Sequence, residues 1–366
     1  MVKSTPKILF FATHFYPYKG GLENYVLEVA KLLAKKTQVG VVALKHKPLP
    51  DKSTYKGIDI HRLESTVLLP GVYEIPKSSK KNRQTLSKLM KEYDVIITQT
   101  RFFSTSFLGA LLSKIYNKQY IHTEHGNVFV KHDNKIVELA ARLMDETFGR
   151  FVFKSSDITI GISKPCEMFA KRMGAKKTKL IYNGINFSMF KQPTKTIRNK
   201  LILKYNPNKK KIVIFFGRLI YAKGVQDLIK ACKNLEVRLF IIGDGPYKKE
   251  LEHFVKQSKV DAKFFGQKSR EDIIQLLSIS DVFVNPSFSE GLPTSVLEAA
   301  AMNVPIIATD VGGTNEIVKQ GILIQPQDVV TLNKSLKKYL KNKPKTKEDL
   351  TQFDMRLIAQ EIYKLI

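Results

Sequence analysis

Short apolar runs alternate with segments of helical periodicity along most of the chain. In segment 22–35, Val26, Val29, Leu32 and Leu33 recur at the spacing of a helix with one buried face. The apolar runs predict strands at Ile8–Ala12, Val39–Leu44, Ile58–Leu63, Val95–Ile97, Gln119–Thr123, Ile158–Gly161, Leu180–Tyr182, Lys211–Phe216, Val237–Ile242, Lys263–Phe265, Val282–Val284, Ile306–Ala308 and Ile322–Ile324. Strands that alternate with amphipathic helices are typical of parallel sheets covered by helices. The pattern therefore predicts an α/β fold.

One stretch interrupts this alternation. Segment 191–210 is polar and poor in strand-forming residues, so we predict a linker there. It separates a predicted N-terminal domain, residues 1–190, from a predicted C-terminal domain, residues 211–348. The last segment, residues 349–366, carries apolar residues at helical spacing and predicts a final helix.

The composition is that of a globular protein without a membrane span. Of the 366 residues, 43% are hydrophobic, and the longest apolar runs are far too short to cross a bilayer. The first apolar run is not followed by a small-residue cleavage site, which favours a strand over a secretion signal. The two cysteines, Cys166 and Cys232, form no metal-binding or disulfide pattern. These features predict a cytoplasmic protein.

The chain is strongly basic, with 61 Lys and Arg against 33 Asp and Glu and a formal net charge of +28. Segment 77–91 contains six basic residues and no acidic one, and the apolar segment 67–73 lies just before it. Apolar and basic residues side by side are typical of a surface that binds an anionic membrane. A solvated basic surface is the alternative interpretation. The sequence contains no nucleic-acid-binding motif, so we predict no nucleic-acid partner.

The segment Asn285–Ala299 has the most informative spacing in the chain. Because Pro293 suits the first turn of a helix, Glu290 is expected in a loop at a strand end and Glu298 inside the following helix. Eight helical residues span about 12 Å, which is too long for the paired carboxylates of a glycoside hydrolase. Carboxylates at this separation, with a helix N-terminus between them, suit a ligand with hydroxyls at both ends and an anionic middle. A nucleotide-diphosphate sugar has that form.

This segment resembles the glutamate–seven residues–glutamate signature of retaining glycosyltransferases of family four, within glycosyltransferase group 1. The resemblance includes Pro286-Ser287 before the first glutamate, Glu290-Gly291-Leu292-Pro293 at the turn, and the stretch Pro305–Glu316. It implies the GT-B fold, in which two Rossmann-like domains face each other across a cleft. It also implies that the C-terminal helix crosses back to pack on the first domain.

A pair of cations follows the first predicted strand of the second domain. Arg218 comes directly after Gly217 at the end of that strand, and Lys223 lies five residues further on. Ligands bind at strand ends of open α/β sheets, and Arg and Lys are suited to phosphate. The pattern Gly-Arg-Leu-x-x-x-Lys-Gly resembles the family's donor-phosphate clamp, which implies that both residues stabilise charge on the departing diphosphate. Ordinary surface cations are the alternative.

The resemblance implies further binding residues. Gly20 and Gly21, at a loop–helix junction, match the family's glycine loop that closes over the diphosphate. His125, at a strand end, matches the histidine that lines the transfer site near the C6 hydroxyl of the donor sugar. Glu290 is implied to hold the C3 and C4 hydroxyls of that sugar, and Glu298 the ribose hydroxyls. The remaining implied contacts are Gly266 and Gln267 for the nucleobase, and Gly291, Leu292, Pro293 and Thr294 near the phosphate.

We therefore expect a retaining glycosyltransferase that moves a hexose-type sugar from a UDP- or GDP-linked donor to an acceptor hydroxyl in cell-envelope glycan, glycolipid or polysaccharide synthesis. His125, Arg218, Lys223 and Glu290 are the expected catalytic residues. We expect no cofactor and no essential metal, because no Asp-x-Asp motif follows a strand. The expected partners are the donor, a lipid-linked or glycan acceptor and an anionic membrane at its inner face. Two other hypotheses stay open: a sugar-nucleotide 2-epimerase of the same architecture, and a non-catalytic protein that binds anionic surfaces.

Overall fold

The computed structural model describes residues 5–18, 20–45, 48–69, 73–129 and 135–366. The chain divides into two compact units: unit 1 comprises Met1–Asn183 and Met355–Ile366, and unit 2 comprises Gly184–Asp354. Each unit contains a sheet of mostly parallel strands with helices packed against it. The predicted α/β fold is therefore confirmed. Within the described ranges, no helix is both long and apolar enough to traverse a lipid bilayer.

Unit 1 contains an eight-stranded sheet and a separate two-stranded hairpin. Its strands are β1 Ile8–Phe11, β2 Val39–Leu44, β3 Lys52–Tyr55, β4 Ile58–Leu63, β5 Ser65–Leu69, β6 Tyr73–Pro76, β7 Val95–Gln99, β8 Gln119–Glu124, β9 Ile158–Gly161 and β10 Thr178–Leu180. The large sheet has the order β10-β9-β8-β7-β1-β2-β4-β3, and only β3 runs antiparallel to its neighbour. Strands β5 and β6 form the hairpin. The order reverses beside β1, so β1 and β7 flank the switch point of this sheet.

Helices cover both faces of the unit 1 sheet. They are α1 Gly21–Leu33, α2 Lys80–Glu92, α3 Ser104–Ile115, α4 Lys135–Met144, α5 Arg150–Ser155 and α6 Lys164–Arg172, with a π-helical segment at Asp145–Gly149. Helix α1 buries Val26, Val29 and Leu33 against the sheet, as its apolar spacing predicts. Helix α2 begins at Lys80, where the Ser79 side chain accepts a hydrogen bond from the Asn82 amide. This capping interaction stabilises the polar first turn of α2.

Unit 2 contains a six-stranded sheet in which every pair is parallel. Its strands are β11 Lys211–Phe216, β12 Val237–Ile242, β13 Ala262–Phe264, β14 Val282–Asn285, β15 Ile306–Thr309 and β16 Ile322–Ile324. The order β13-β12-β11-β14-β15-β16 is the 3-2-1-4-5-6 order of a Rossmann sheet. The switch point, where such sheets bind ligands, lies between β11 and β14.

The helices of unit 2 show that the predicted linker is wrong in part. They are α7 Lys195–Tyr205, α8 Val225–Cys232, α9 Lys248–Ser258, α10 Arg270–Ser278, α11 Thr294–Ala301, α12 Thr314–Ile317 and α13 Val329–Lys341. Helix α7 occupies most of segment 191–210, which belongs to unit 2. Thr194 caps its first turn, and Tyr205 packs edge-on against Phe265 at 5.2 Å between ring centroids. Basic residues are spread around α7, so its sequence shows no clear apolar face.

The last helix, α14 Met355–Tyr363, belongs to unit 1. Met355, Ile358 and Ile362 enter the core that α1 shares with the sheet. Residues 349–354 remain in unit 2, so the helix predicted within residues 349–366 begins only at Met355. The Asp349 side chain accepts hydrogen bonds from Thr351, and a short 3-10 turn at Thr351–Phe353 takes the place of the predicted first helical turn.

Candidate functional site

The predicted clamp residues lie at the switch point of the unit 2 sheet. The loop that follows β11 carries Arg218, which is exposed, and Lys223, which is half-buried in a 3-10 turn. Lys223 Nζ lies 2.7 Å from Glu290 Oε1, on the loop that follows β14. Asn285 Nδ2 donates a second hydrogen bond, at 3.4 Å, to the same oxygen. The structure therefore brings Lys223 and Glu290 together, 67 residues apart in sequence.

Close backbone contact holds these two loops against each other. The Phe288 amide donates a hydrogen bond of 2.8 Å to the Ala222 carbonyl. Gly224 has a φ of +66°, and a Cβ built there would lie 1.9 Å from the Pro286 carbonyl oxygen. Only glycine fits this position, because both the left-handed backbone and the close approach exclude a side chain. The glycine after Lys223 therefore determines how near the lysine comes to Glu290.

The far side of the Glu290 loop rests on the turn after β15. A Cβ at Gly312 would lie 1.9 Å from the Glu290 carbonyl oxygen, and Gly312 has a φ of +57°. The Gly313 amide donates a hydrogen bond of 2.9 Å to the Gly291 carbonyl. The sequence signal for this support is the pair Gly312-Gly313 in the stretch after Pro305.

Helix α11 begins directly after this loop. Pro293 occupies the N-cap, Thr294 is the first helical residue, and no side chain caps the first turn. The first amides of a helix lack intrahelical partners and carry partial positive charge, which favours an anion. Gly291 and Leu292 complete the approach to the helix, and Leu292 is buried. The predicted loop–helix geometry between Glu290 and Glu298 is therefore present.

Glu298 lies inside α11 and is buried. Its Oε1 lies 3.2 Å from the Arg270 guanidinium, at the start of α10. Burial raises the pKa of the Glu298 carboxyl, while the charge and hydrogen bond of Arg270 act in the opposite direction. Sequence reasoning did not find Arg270, because Arg270 and Glu298 lie on different helices, α10 and α11, and strand β14 separates these helices in the chain.

Gly266 and Gln267 lie at the carboxyl end of β13, at one edge of the sheet. The Gly266 carbonyl accepts a hydrogen bond of 2.8 Å from the Gly243 amide, which ties this loop to the loop after β12. A Cβ at Gly266 would meet nothing within 4 Å, so the loop is open on that side. The predicted base-contacting role of these two residues stays a prediction.

The remaining predicted residues belong to unit 1. Gly20 is the N-cap of α1 and Gly21 its first residue, at the carboxyl end of β1 beside the switch point of that sheet. His125 directly follows β8 and is half-buried. Its Nε2 lies 2.9 Å from Gln99 Oε1, and the Tyr25 ring packs edge-on against the imidazole at 5.1 Å. Burial lowers the pKa of His125 to about 4, so the imidazole is neutral near pH 7.

A buried ionic cluster beneath His125 escaped sequence reasoning. The Arg101 guanidinium pairs with Glu124 at 3.1 Å and with Asp145 at 2.9 Å. Burial alone would raise the pKa of Glu124, but Arg101 and His122 bring it to about 2. Glu124 Oε1 also accepts a hydrogen bond of 2.6 Å from the Gly126 amide, which fixes the backbone on the far side of His125. The available signal was a charged residue at or near the end of each of two strands, since Glu124 is the last residue of β8 and Arg101 lies two residues after β7.

Two Rossmann-like units, one with cations and carboxylates at the switch point of its sheet, define the class of α/β protein to which this chain belongs. A family model described as "Glycosyl transferases group 1" matches residues 198–353, and one described as "Glycosyltransferase Family 4" matches residues 19–188. Together they leave only the two ends and a short stretch between residues 188 and 198. The chain therefore belongs to the group 1 glycosyltransferases with the GT-B fold, as the resemblance implied.

Proteins similar in sequence to this chain include glycosyltransferases of cell-envelope synthesis. An uncharacterized glycosyltransferase of Methanocaldococcus jannaschii is 27% identical over 92% of this chain and 90% of its own length. The putative teichuronic acid biosynthesis glycosyltransferase TuaC of Bacillus subtilis is 28% identical over 86% of this chain and 81% of its length. The N,N'-diacetylbacillosaminyl-diphospho-undecaprenol alpha-1,3-N-acetylgalactosaminyltransferase of Campylobacter jejuni is 25% identical over 80% of this chain and 84% of its length.

Solved structures have the same fold. The Anabaena protein HepE in complex with UDP superposes with a TM-score of 0.79, at 21% identity, over 98% of this chain and 99% of its own. The same protein has also been solved with UDP-glucose.

Proposed function

We propose that this glycosyltransferase moves a hexose-type sugar, with retention, from a UDP- or GDP-linked donor to an acceptor hydroxyl. The pairing of Lys223 with Glu290 beside the uncapped start of α11 carries this proposal. It joins a cation, a carboxylate and a helix N-terminus at the switch point, which together suit a hydroxyl-rich sugar attached to a diphosphate. The UDP-glucose complex of a structural neighbour agrees with a donor of this kind.

Each residue at the switch point has a defined part in this proposal. Arg218 and Lys223 bind the diphosphate and stabilise the negative charge that grows on it as the sugar departs. Glu290 accepts hydrogen bonds from hydroxyls of the transferred sugar, and the amides near Thr294 face the phosphate. Glu298 accepts hydrogen bonds from the ribose. The leaving phosphate removes the acceptor proton, so the reaction needs no protein nucleophile and no metal.

His125 acts in this scheme as a neutral hydrogen-bonding group. Its low pKa follows from burial, and Gln99 holds Nε2 in place. A neutral imidazole orients a hydroxyl without adding positive charge to the transfer site. Gly20 and Gly21 contribute the first backbone amides of α1 to binding of the diphosphate.

The acceptor is presented at an anionic membrane surface, on its cytoplasmic face, as a lipid-linked molecule or a glycan. Val67 and Leu68, on the β5–β6 hairpin, are 51% and 55% exposed. The hairpin is tied to the basic helix α2, because Asn82 bonds both backbone groups of Glu64, one residue before β5. Exposed basic side chains follow at Lys77, Lys80, Lys81, Arg83, Lys88 and Lys91. Residues 70–72 of the predicted apolar segment lie outside the described residues.

The membrane surface has a direct test. The double variant Val67→Ser/Leu68→Ser is expected to lose most of its cosedimentation with phosphatidylglycerol vesicles, while the matched variant Val330→Ser, at an exposed position of unit 2, keeps it. Two results would remove this surface from the proposal. One is equal binding by the wild type and both variants. The other is wild-type binding to neutral phosphatidylcholine vesicles that equals its binding to phosphatidylglycerol vesicles.

Screening nucleotide sugars for thermal stabilisation, then supplying the best donor with membrane extract, tests the transfer. We expect a UDP- or GDP-sugar to stabilise the protein, and the product linkage to keep the donor's anomeric configuration by NMR. An epimer formed from the donor alone would favour the 2-epimerase. Salt-sensitive vesicle binding without any donor binding would favour the non-catalytic hypothesis.

A further inference from the structure

Arg270 is the charged partner of the buried carboxylate on α11. Its guanidinium lies 3.2 Å from Glu298 Oε1, and the two side chains are 25% and 8% exposed. Within the described part of the chain, Glu298 forms its one side-chain ion pair with this arginine. Partial burial distinguishes the contact from an exposed surface ion pair, which contributes little.

The start of α10 is built to hold Arg270 in position. The Ser269 side chain accepts a hydrogen bond from the Asp272 amide, and the Asp272 carboxylate accepts one from the Ser269 amide. This capping box fixes the first turn, so the arginine projects from a rigid helix end. The loop that precedes it contains Gly266 and Gln267. Arg270 therefore joins the end of that loop to α11.

An ionised carboxylate with two free lone-pair directions accepts hydrogen bonds from two adjacent hydroxyls. Burial without a cation favours the neutral acid, which would donate one proton and present a weaker acceptor. Burial raises the pKa of the Glu298 carboxyl, and Arg270 opposes that rise. A guanidinium at Oε1 also restricts the rotation of the carboxylate.

We infer that Arg270 is a positioning residue for the nucleotide ribose: it holds Glu298 ionised and oriented so that the carboxylate accepts both ribose hydroxyls. The inference rests on the proposed function, because it assigns Glu298 to the donor. Arg270 lies outside the glutamate motif and the clamp pattern. It reaches Glu298 because the fold places the start of α10 beside α11.

Calorimetric binding of UDP, GDP, the 2′-deoxy and 3′-deoxy forms of each nucleotide, and inorganic pyrophosphate tests this inference. We expect the wild type to bind UDP or GDP and to discriminate against each deoxy analogue by about tenfold or more, as for a hydrogen bond to a charged group. Arg270→Leu is expected to weaken binding of the intact nucleotide by a similar factor and to lose most of the discrimination. Pyrophosphate, which has no ribose, is expected to bind both proteins equally.

Three further variants separate positioning from general structure. Arg270→Lys retains the charge and is expected to recover part of the discrimination. On a Glu298→Gln background, Arg270→Leu is expected to add nothing, because the carboxylate that it serves is gone. Arg238→Leu is the matched control: Arg238 is 21% exposed and lies 3.8 Å from Asp261 in the same unit, and we expect unchanged nucleotide binding.

Two sets of results would overturn the inference. If Arg270→Leu still discriminated fully against the deoxy analogues, Arg270 would have only a stabilising role. If the variant lost affinity for the nucleotide and for pyrophosphate equally, its role would be a general electrostatic one. If the wild type bound neither UDP nor GDP, the proposed donor class would be overturned together with this inference. Nucleotide binding by the wild type therefore tests the function, and the change in discrimination tests Arg270.

Discussion

Lys223 and Glu290 come from loops after two neighbouring strands, β11 and β14, and their charged atoms lie 2.7 Å apart. Their side chains are 24% and 9% exposed, so the carboxylate is the more buried partner. The pair neutralises its own charge, whereas Arg218, on the same loop as Lys223, is exposed and pairs with no carboxylate in the described part of the chain. These three residues together carry a net positive charge, which suits the diphosphate of the proposed donor.

Replacing the clamp lysine tests this arrangement. We expect Lys223→Ala to lower kcat/KM for sugar transfer by about a hundredfold or more, because a preorganised charge at the departing diphosphate is removed. Circular dichroism is expected to show a folded protein. Lys249→Ala, an exposed lysine of α9, is the control and is expected to keep the wild-type rate. Wild-type turnover by Lys223→Ala would contradict the clamp.

Gly224 and Gly266 have nearly the same backbone conformation, so comparing them separates the energetic cost of a positive φ from the cost of a close contact. Gly224 has a φ of +66° and faces the Pro286 carbonyl, whereas Gly266 has a φ of +65° and faces open space. Gly266→Ala is expected to lower the free energy of unfolding by about 1–2 kcal/mol, which is the cost of the left-handed backbone conformation alone. Gly224→Ala is expected to cost more and to reduce donor binding, since the Lys223 loop must move away from Pro286. Chemical denaturation and donor titration measure both effects, and equal costs would refute the contact argument.

Arg101 is expected to be required for the stability of unit 1. Arg101→Leu leaves Glu124 and Asp145 buried without their cation, which typically costs about 3–5 kcal/mol. Arg142→Leu removes an exposed pair with Glu146 and is expected to cost no more than about 1 kcal/mol. Guanidinium denaturation compares the two free energies of unfolding. Similar losses for both variants would show that the buried cluster contributes no more than a surface pair.

Unit 1 is expected to lose stability in mild acid through His125. Its folded pKa of about 4 lies below the ordinary value of 6.5, so the unfolded chain binds more protons between these values. Stability should therefore fall as pH drops from 6.5 to 4, by up to about 3 kcal/mol. Glu124, with a folded pKa of about 2, adds a loss only below its ordinary value of 4.5.

The pH dependence of unfolding isolates the histidine. In His125→Gln the slope between pH 6.5 and 4 is expected to be clearly smaller than in the wild type, and the slope that remains includes His61, whose pKa is also lowered by burial. A slope that is the same in the variant and the wild type would assign the acid sensitivity to other groups.

Local patterns predicted much of the fold. The predicted strands from Ile8–Ala12 to Ile322–Ile324 correspond to observed strands, with ends that differ by at most two residues, except that the predicted Leu180–Tyr182 only meets the end of β10. Strands β3, β5 and β6 were missed, because short antiparallel segments such as Lys52–Tyr55 are polar on one side and gain stability from their partners. Helix α7 was missed for a related reason, since its packing in unit 2 stabilises a sequence without a clear apolar face.

The sequence by itself determined the α/β class, the loop and helix positions of Glu290 and Glu298, and the cations after β11. These are local properties, since strand periodicity, a proline at a helix start and glycine punctuation act over a few residues. The tertiary structure alone decided which charges meet: Lys223 with Glu290, Arg270 with Glu298, and Arg101 with Glu124 and Asp145. Such pairs join residues far apart in the chain, and sheet order and helix crossover bring them together.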